Sequence, residues 1–167
     1  MNLKAQLEQA MRLSSLMQAV GFAVWQLQEL ETTAVTFAVI RLRATPGMGE
    51  DAGRALLEKG ERRTLGNVIQ ELRARGLVSG DVNDDLRDVL NQRNWLVHRA
   101  RRETRGVLAD RARLTDLLTK LEMLSGRAVA LQKVLAGEVE AYVVSTGVAQ
   151  QTVEREAEAL AKQWGLL

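Results

Sequence analysis

Apolar residues recur at three- and four-residue intervals over two long stretches of this chain. The first runs from residue 3 to about residue 42, and the second from Leu114 to Tyr142, before Gly147. This spacing places the apolar side chains on one face of an α-helix, whereas a half-buried strand would need strict alternation. The second stretch predicts a helix of some 35 residues, roughly 50 Å long. We therefore expect two long amphipathic helices, each with an apolar stripe that another helix must cover.

Glycine and proline divide the rest of the chain. Gly21 leaves two possibilities for the first stretch, one long helix or two helices with a kink between them, because glycine costs about 1 kcal/mol against alanine inside a helix. Pro46 predicts the end of that helix, since the residue before a proline is pushed out of the helical region.

Shorter helices are expected between and after the long ones. One is predicted from residue 50 to about residue 60, and another opens at Thr64, whose hydroxyl can cap it. The next helix covers about residues 82–100, with Asp81 or Asn83 as its cap. An arginine-rich connection follows around residues 101–106, and a final amphipathic segment covers about residues 148–164.

Composition agrees with an all-α fold. The chain has one proline, and 46% of its residues are hydrophobic. We expect residues 1–167 to form a single domain, an antiparallel bundle of four to six helices that includes the two long ones.

Several classes of protein are disfavoured. Cysteine is absent, so disulfides, thiolate nucleophiles and the common zinc clusters are excluded, and we expect no cofactor and no metal. No apolar run approaches the roughly 20 residues of a membrane-spanning helix, so we expect a cytoplasmic protein without a membrane partner. The net charge of +2 is small, so attraction to a nucleic acid would have to come from local clustering.

The candidate chemistry lies late on the helix predicted over residues 82–100. His98 is the only histidine of the chain, Asn94 precedes it by four residues and Arg93 by five. Residues four apart share one helical face, so Asn94 and His98 are expected side by side. Arg93 lies about 140° around the helix from His98, so only its long side chain could bring the guanidinium back.

This segment resembles the HEPN superfamily (higher eukaryote and prokaryote nucleotide-binding domain). The signature of that family is an arginine, often followed by asparagine, with a short spacer before a histidine late in a helix. Thr64-Leu65-Gly66 at a helix start, and Leu86 and Leu90 before the motif, also resemble the family's run-in. Some toxin members have a tyrosine two residues after the histidine, where this chain has Ala100, so inactivation by modification of that tyrosine is not expected.

The resemblance implies a homodimeric, metal-independent endoribonuclease, acting as a toxin or antiphage defence effector under an inhibitory, antitoxin-like protein. His98 would be the general acid and base, Arg93 would stabilise phosphate charge, and Asn94 would orient His98 or the ribose-phosphate. One histidine per chain cannot be acid and base at once, so a dimer would supply both. The RNA phosphates beyond the scissile one would be bound by Arg99, Arg101, Arg102 and Arg105.

Less specific interpretations stay open. His98 could pack beside Trp95 or end the helix without chemistry, and the arginines could form a solvated helix end. Trp95 is expected in the core or an interface rather than as a platform for base stacking. The alternative function is a non-catalytic, helical RNA-binding or adaptor dimer, in which the long helices matter and His98 does not.

Overall fold

The computed structural model describes residues 3–45 and 47–163, and in these residues the chain forms seven α-helices and no strand. The helices are α1 (Leu3–Leu42), α2 (Glu50–Glu61), α3 (Leu65–Ala74), α4 (Gly80–His98), α5 (Ala100–Glu103), α6 (Arg111–Ser145) and α7 (Gln150–Gln163). A single 3-10 turn, Val107–Ala109, precedes α6. The all-α prediction is confirmed. Pro46, predicted to end the first helix, and residue 164, predicted to end the last amphipathic segment, lie outside the described residues.

Helix α1 is continuous over 40 residues, so the first stretch forms one long helix through Gly21 rather than two. Gly21 is exposed, and no atom outside its immediate neighbourhood lies within 4 Å of where a Cβ would stand. No neighbouring side chain therefore pushes against the helix backbone at this position. One glycine costs about 1 kcal/mol in a helix, which the packing of the flanking turns offsets.

The two long helices run in the same direction. Gln132 of α6 donates a hydrogen bond to the carbonyl oxygen of Gln26 in α1 at 2.8 Å. Further along both helices, the Arg41 guanidinium lies 4.7 Å from the centre of the Tyr142 ring. Residue numbers thus rise together along the contact, so α1 and α6 are parallel to each other within the bundle. The physical reason is that three helices, α2 to α4, lie between them, and four reversals bring the chain back to its original direction.

Helix α4 is antiparallel to both long helices. Near its start, Asp85 and Asp88 pair with Arg127 of α6, and near its end the Lys120 ammonium lies 3.4 Å from the centre of the Trp95 ring. Helices adjacent in sequence therefore alternate in direction, as expected of a bundle. The number of helices exceeds the predicted six because the segment predicted as a connection contains the one-turn helix α5.

One core joins these helices. Its largest fully buried side chains come from α1, α3, α4 and α6, and each stabilises the fold by about 1.5–3 kcal/mol through burial. They are Leu30, Phe37, Val68, Leu72, Leu86, Val89, Leu121, Leu124 and Leu135. Within the described part of the chain, no helix is both long and apolar enough to cross a bilayer.

The helix starts show one confirmed and one wrong cap. The Thr64 hydroxyl accepts a hydrogen bond from the backbone N–H of Asn67 at 3.3 Å, as predicted. Helix α4 begins earlier than expected, because Ser79 has an extended backbone and accepts from the N–H of Val82 at 3.4 Å. Neither Asp81 nor Asn83 is the cap, and Asn83 is buried instead.

Two glycines of α2 give a matched test of this packing. A Cβ at Gly60 would lie 2.8 Å from Val35 Cγ1, whereas a Cβ at Gly53 would meet nothing within 4 Å. Gly60→Ala is expected to lower the free energy of unfolding by about 1–2 kcal/mol through overpacking. Gly53→Ala is expected to raise it by about 0.5–1 kcal/mol through helix propensity. Urea unfolding followed by circular dichroism measures both, and equal effects of the two changes would contradict the described contact between α1 and α2.

Candidate functional site

Helix α4 carries the Arg-Asn-His motif on its last two turns and ends at His98. Leu86, Val89 and Leu96 anchor it in the core. Its outward face carries Arg87, Asn91, Asn94 and His98, spaced by four, three and four residues, which places them in one row along the helix. The helix backbone therefore places Asn94 and His98 on one face, as predicted.

His98 is exposed, and its imidazole makes no hydrogen bond or ion pair with any residue that the structure describes. It does not pack in the core beside Trp95. The side chain is therefore free to contact a molecule from solution.

Arg93 faces the interior side of α4 and is tied to two other helices through Glu31. Its guanidinium Nη2 lies 3.8 Å from Glu31 Oε2, and its Nη1 donates to Asn94 Oδ1 at 3.3 Å. The other carboxylate oxygen of Glu31, in α1, accepts the N–H of Leu65, the first residue of α3, at 3.0 Å. Within one chain, the structure thus brings Arg93 to Asn94 and Glu31 and not to His98.

The four arginines after the motif are all exposed. Arg99 ends α4, its backbone N–H donating to the carbonyl of Trp95 at 2.9 Å, and Arg101 and Arg102 lie on α5. Arg105 follows, beside Gly106, whose φ of 75° turns the chain toward the 3-10 turn. None of these guanidinium groups forms an ion pair within residues 3–45 and 47–163. This end of the molecule is therefore a local concentration of uncompensated positive charge.

Trp95 is a packing residue. Its indole Nε1 donates to Glu103 Oε2 at 2.7 Å, which ties α4 to α5. The Lys120 ammonium covers its ring, an arrangement favoured by the negative face of the indole. A nucleotide base could not stack there without displacing Lys120, so the prediction of a core or interface role is confirmed.

Arg127 fixes the register between α4 and α6. It donates to both Asp85, at 2.8 Å, and Asp88. The hydrogen bond from Arg127 lowers the pKa of the Asp88 carboxyl, and a second one from Gln92 lowers it further. The same pairing raises the pKa of Arg127. This clamp lies on the solvent side of the bundle and holds the motif helix against α6.

A cavity of about 550 Å³ lies below the end of α4. It is lined mainly by apolar side chains of α1, α4 and α6, among them Leu16, Val20, Leu96 and Leu121, with Arg101 at its edge. His98 does not line it. Among the described residues, no three histidine or acidic side chains are grouped so that they could hold a metal ion.

Three residues of the site were not singled out from the sequence. Glu31 lies 62 positions before Arg93 in the chain, and only the fold brings the two together. Glu103 and Lys120, the partners of Trp95, likewise come from other helices. No sequence pattern signals contacts of this kind, since they depend on helix order and register.

Comparison with known proteins gives no relative. No family model matches the chain, and neither the curated proteins nor the solved structures contain a match.

Glu31 and His98 are expected to differ in what they contribute to folding. Glu31→Ala removes the acceptor for the first N–H of α3 and the charge beside Arg93, and should lower the free energy of unfolding by about 1–2 kcal/mol. His98→Ala should change it by less than about 0.5 kcal/mol, like Glu58→Ala at an exposed position of α2. Urea unfolding at neutral pH measures all three. A large loss for His98→Ala would show that the histidine is packed.

The Arg127 clamp should stabilise the fold in a pH-dependent way. A carboxyl whose pKa is lowered on folding stabilises the protein above its unfolded-state pKa, near 4, and loses this contribution as pH falls through the folded-state pKa. Because the pair is solvent-exposed, Asp88→Asn should cost at most about 1 kcal/mol at pH 7, and less as pH falls through the folded-state pKa. Asp84→Asn, which removes a 3.9 Å contact to Arg87 and changes the acceptor of a 3.5 Å hydrogen bond from Asn83, is the control. An Asp88→Asn effect independent of pH would contradict the assignment.

Proposed function

We propose that this protein is a metal-independent endoribonuclease of the HEPN kind, acting as a homodimer. The observation that carries the proposal is the position of His98. The only histidine of the chain is exposed at the end of a rigid helix, beside four exposed arginines without ion-pair partners. General acid-base chemistry on an anionic polymer needs this combination of a titratable group and a concentration of cations.

The reaction requires no group that the chain lacks. The 2′-hydroxyl of RNA attacks the adjacent phosphorus, one histidine accepts its proton, and a second histidine protonates the 5′-oxygen that leaves. The products are a 2′,3′-cyclic phosphate and a free 5′-hydroxyl. DNA has no 2′-hydroxyl and cannot react in this way. Since each chain supplies one histidine, two copies complete the acid-base pair.

The remaining motif residues have different access to the substrate. Asn94 shares the outward face of His98 and is assigned to orient the imidazole or the ribose-phosphate. Arg93 stabilises phosphate charge only by exchanging Glu31 for a phosphate oxygen. About a third of its side chain is exposed, and its contact with Glu31 is long at 3.8 Å, so this exchange breaks a weak ion pair. Arg99, Arg101, Arg102 and Arg105 are assigned to the flanking phosphates.

The biological setting belongs to the same proposal. An RNase whose site is open in the free protein would need an inhibitor, and a toxin or antiphage effector restrained by an antitoxin-like protein fits this requirement. The resemblance of residues 64–99 to the HEPN family supports this role. The general form of the fold supports it too, because the chain is a helical bundle with the motif late in a helix.

One observation favours a second candidate, a non-catalytic RNA-binding or adaptor dimer. Arg93 contacts Glu31 rather than the side of α4 that carries His98. In that case the arginine is a structural link between α1, α3 and α4, and the exposed cations bind RNA without cutting it.

Cleavage of end-labelled RNA in excess EDTA tests the proposal. Wild-type protein should cut RNA, leave 2′,3′-cyclic phosphate ends, and spare a DNA of the same sequence. His98→Ala should slow cleavage by a factor of about 10²–10⁴, the usual contribution of a general acid or base. Arg155→Ala, an exposed arginine on α7, is the control and should cut normally.

RNA binding separates the two candidates. Arg101→Ala with Arg102→Ala should reduce the salt dependence of RNA affinity by a slope of about 0.7 per lost phosphate contact. Binding without cutting by the wild type would favour the non-catalytic candidate. Neither binding nor cutting, by a folded dimer, would exclude both.

A further inference from the structure

The first half of α1 carries a row of side chains that none of the other described helices covers. The row follows a heptad-like spacing of four, four, three, four, three and four residues. Its members, called here the α1 row, are Leu3, Leu7, Met11, Ser14, Gln18, Gly21 and Trp25. Leu3 is 79% exposed, and Leu7, Met11 and Trp25 are 60–62% exposed.

This surface is mainly apolar, and Ser14 and Gln18 are the polar members of the row. Residues 13–28 contain no charged side chain, and Phe22, beside the row, is 57% exposed. The five large apolar side chains together expose several hundred square ångströms, which is a large patch for a monomeric protein. Isolated exposed apolar residues are ordinary, but a continuous helical row of this length is typical of an interface.

We propose that a second copy of the chain covers the α1 row, with the two α1 helices antiparallel. The row is complementary to itself when reversed. Leu7 then faces the partner's Trp25, Met11 faces the partner's Gly21, and Ser14 faces the partner's Gln18. Large side chains thus meet small ones in the middle of the contact, and the two-fold axis passes at the level of residue 16.

Charge selects the antiparallel direction. Glu29 follows the charge-free stretch directly, and Lys4 lies beyond its other end, before Glu8 and Arg12. In an antiparallel pair, Lys4 of each copy lies beside Glu29 of the other. A parallel pair would bring Lys4 to Lys4 and Glu29 to Glu29, and would leave Gly21 opposite Gly21 with no side chain to fill the space. Opposite charges at both ends favour the antiparallel pair by electrostatics.

The area fits a dimer. A contact from residue 3 to residue 29 is roughly 40 Å long at 1.5 Å per residue. The apolar side chains expose several hundred square ångströms in each copy, and the polar side chains around them add to the contact, on the order of the roughly 800 Å² per partner of a standard interface. Gly21 gains a purpose in this arrangement, because none of the described residues of its own chain requires a glycine there.

The same dimer bears on the proposed function. Leu16 and Val20, which line one cavity with Leu96 of α4, lie about half a turn around α1 from the row. The end of α4 therefore lies on the side of α1 away from the partner, and this contact does not by itself bring the two His98 side chains together.

Oligomeric state tests the interface first. Wild-type protein should be a dimer by analytical ultracentrifugation at micromolar concentration. Trp25→Glu and, separately, Met11→Glu should raise the dissociation constant at least tenfold while keeping the helical circular dichroism. Gln70→Glu, at an exposed position of α3, is the control for the added charge. A monomeric wild type, or a dimer indifferent to both row variants, would overturn the proposal.

Cross-linking tests the direction, and the absence of native cysteine makes it simple. A short bismaleimide should link Gln18→Cys to itself across the dimer, since this position lies near the two-fold axis. Leu3→Cys should not link to itself, but it should link to Glu29→Cys when the two variants are mixed. Efficient self-linking of Leu3→Cys would show a parallel pair and overturn the proposal.

These measurements are independent of catalysis. If the antiparallel dimer forms but no RNA is cut, the interface stands and the proposed function fails. If a monomeric wild type cuts RNA through His98, the RNase activity stands, whereas the interface and the acid-base pair from two copies both fail.

Discussion

The parallel contact between α1 and α6 determines where the other helices can lie. Two helices of this length, packed side by side over most of their extent, leave one shared groove, and α4 fills it in the opposite direction. The contact is apolar in its middle and polar at intervals, where Gln132 reaches the backbone of Gln26 and Arg41 lies over Tyr142. Because the long helices are rigid, the end of α4 is carried to a fixed level along them, and the motif is positioned by the core rather than by a loop.

Glu31 links helices of that core through polar contacts. One carboxylate binds the start of α3 and the guanidinium of Arg93, so three helices meet at one side chain. A charged group with both oxygens engaged costs less to hold at a partly buried position than one with a free oxygen. This explains why Arg93 points inward although its neighbours on the outer face of α4 point to solvent. The motif therefore divides into an inner arginine that binds the scaffold and an outer asparagine and histidine that meet solvent.

Local patterns in the sequence predicted the helices well and their arrangement poorly. The 35-residue length of α6 and the cap at Thr64 follow from periodicity and from a single hydroxyl, both of which act within a few residues. The direction of α1 relative to α6 depends on how many helices intervene and on which helices pack together, and no local pattern gives the second of these. The prediction misplaced the cap of α4 because it assigned Ser79 to the loop before the helix.

The candidate site shows the same division. The side-by-side placement of Asn94 and His98 follows from helix geometry alone, and so does the angular separation of Arg93 from His98. The sequence did not show which residue Arg93 contacts, because Glu31 is distant in the chain. The sequence also did not show that the α1 row is exposed. A periodic apolar stripe has the same pattern whether its own chain or a second copy covers it.

The parallel direction of the long helices also makes the molecule electrically asymmetric. Backbone dipoles in α1 and α6 point the same way and add, whereas in an antiparallel pair they would cancel. Their positive ends lie at the end of the molecule where α4 terminates, and Arg12 of α1, which donates to the carbonyl of Leu108 just before α6, lies there too. The negative carbonyl end of the antiparallel α4 lies there as well and offsets part of this field, while the four exposed arginines after His98 make the sum at this end positive. A chain with a net charge of only +2 thus has a distinct positive pole, so a polyanion would be turned toward that pole before any contact forms.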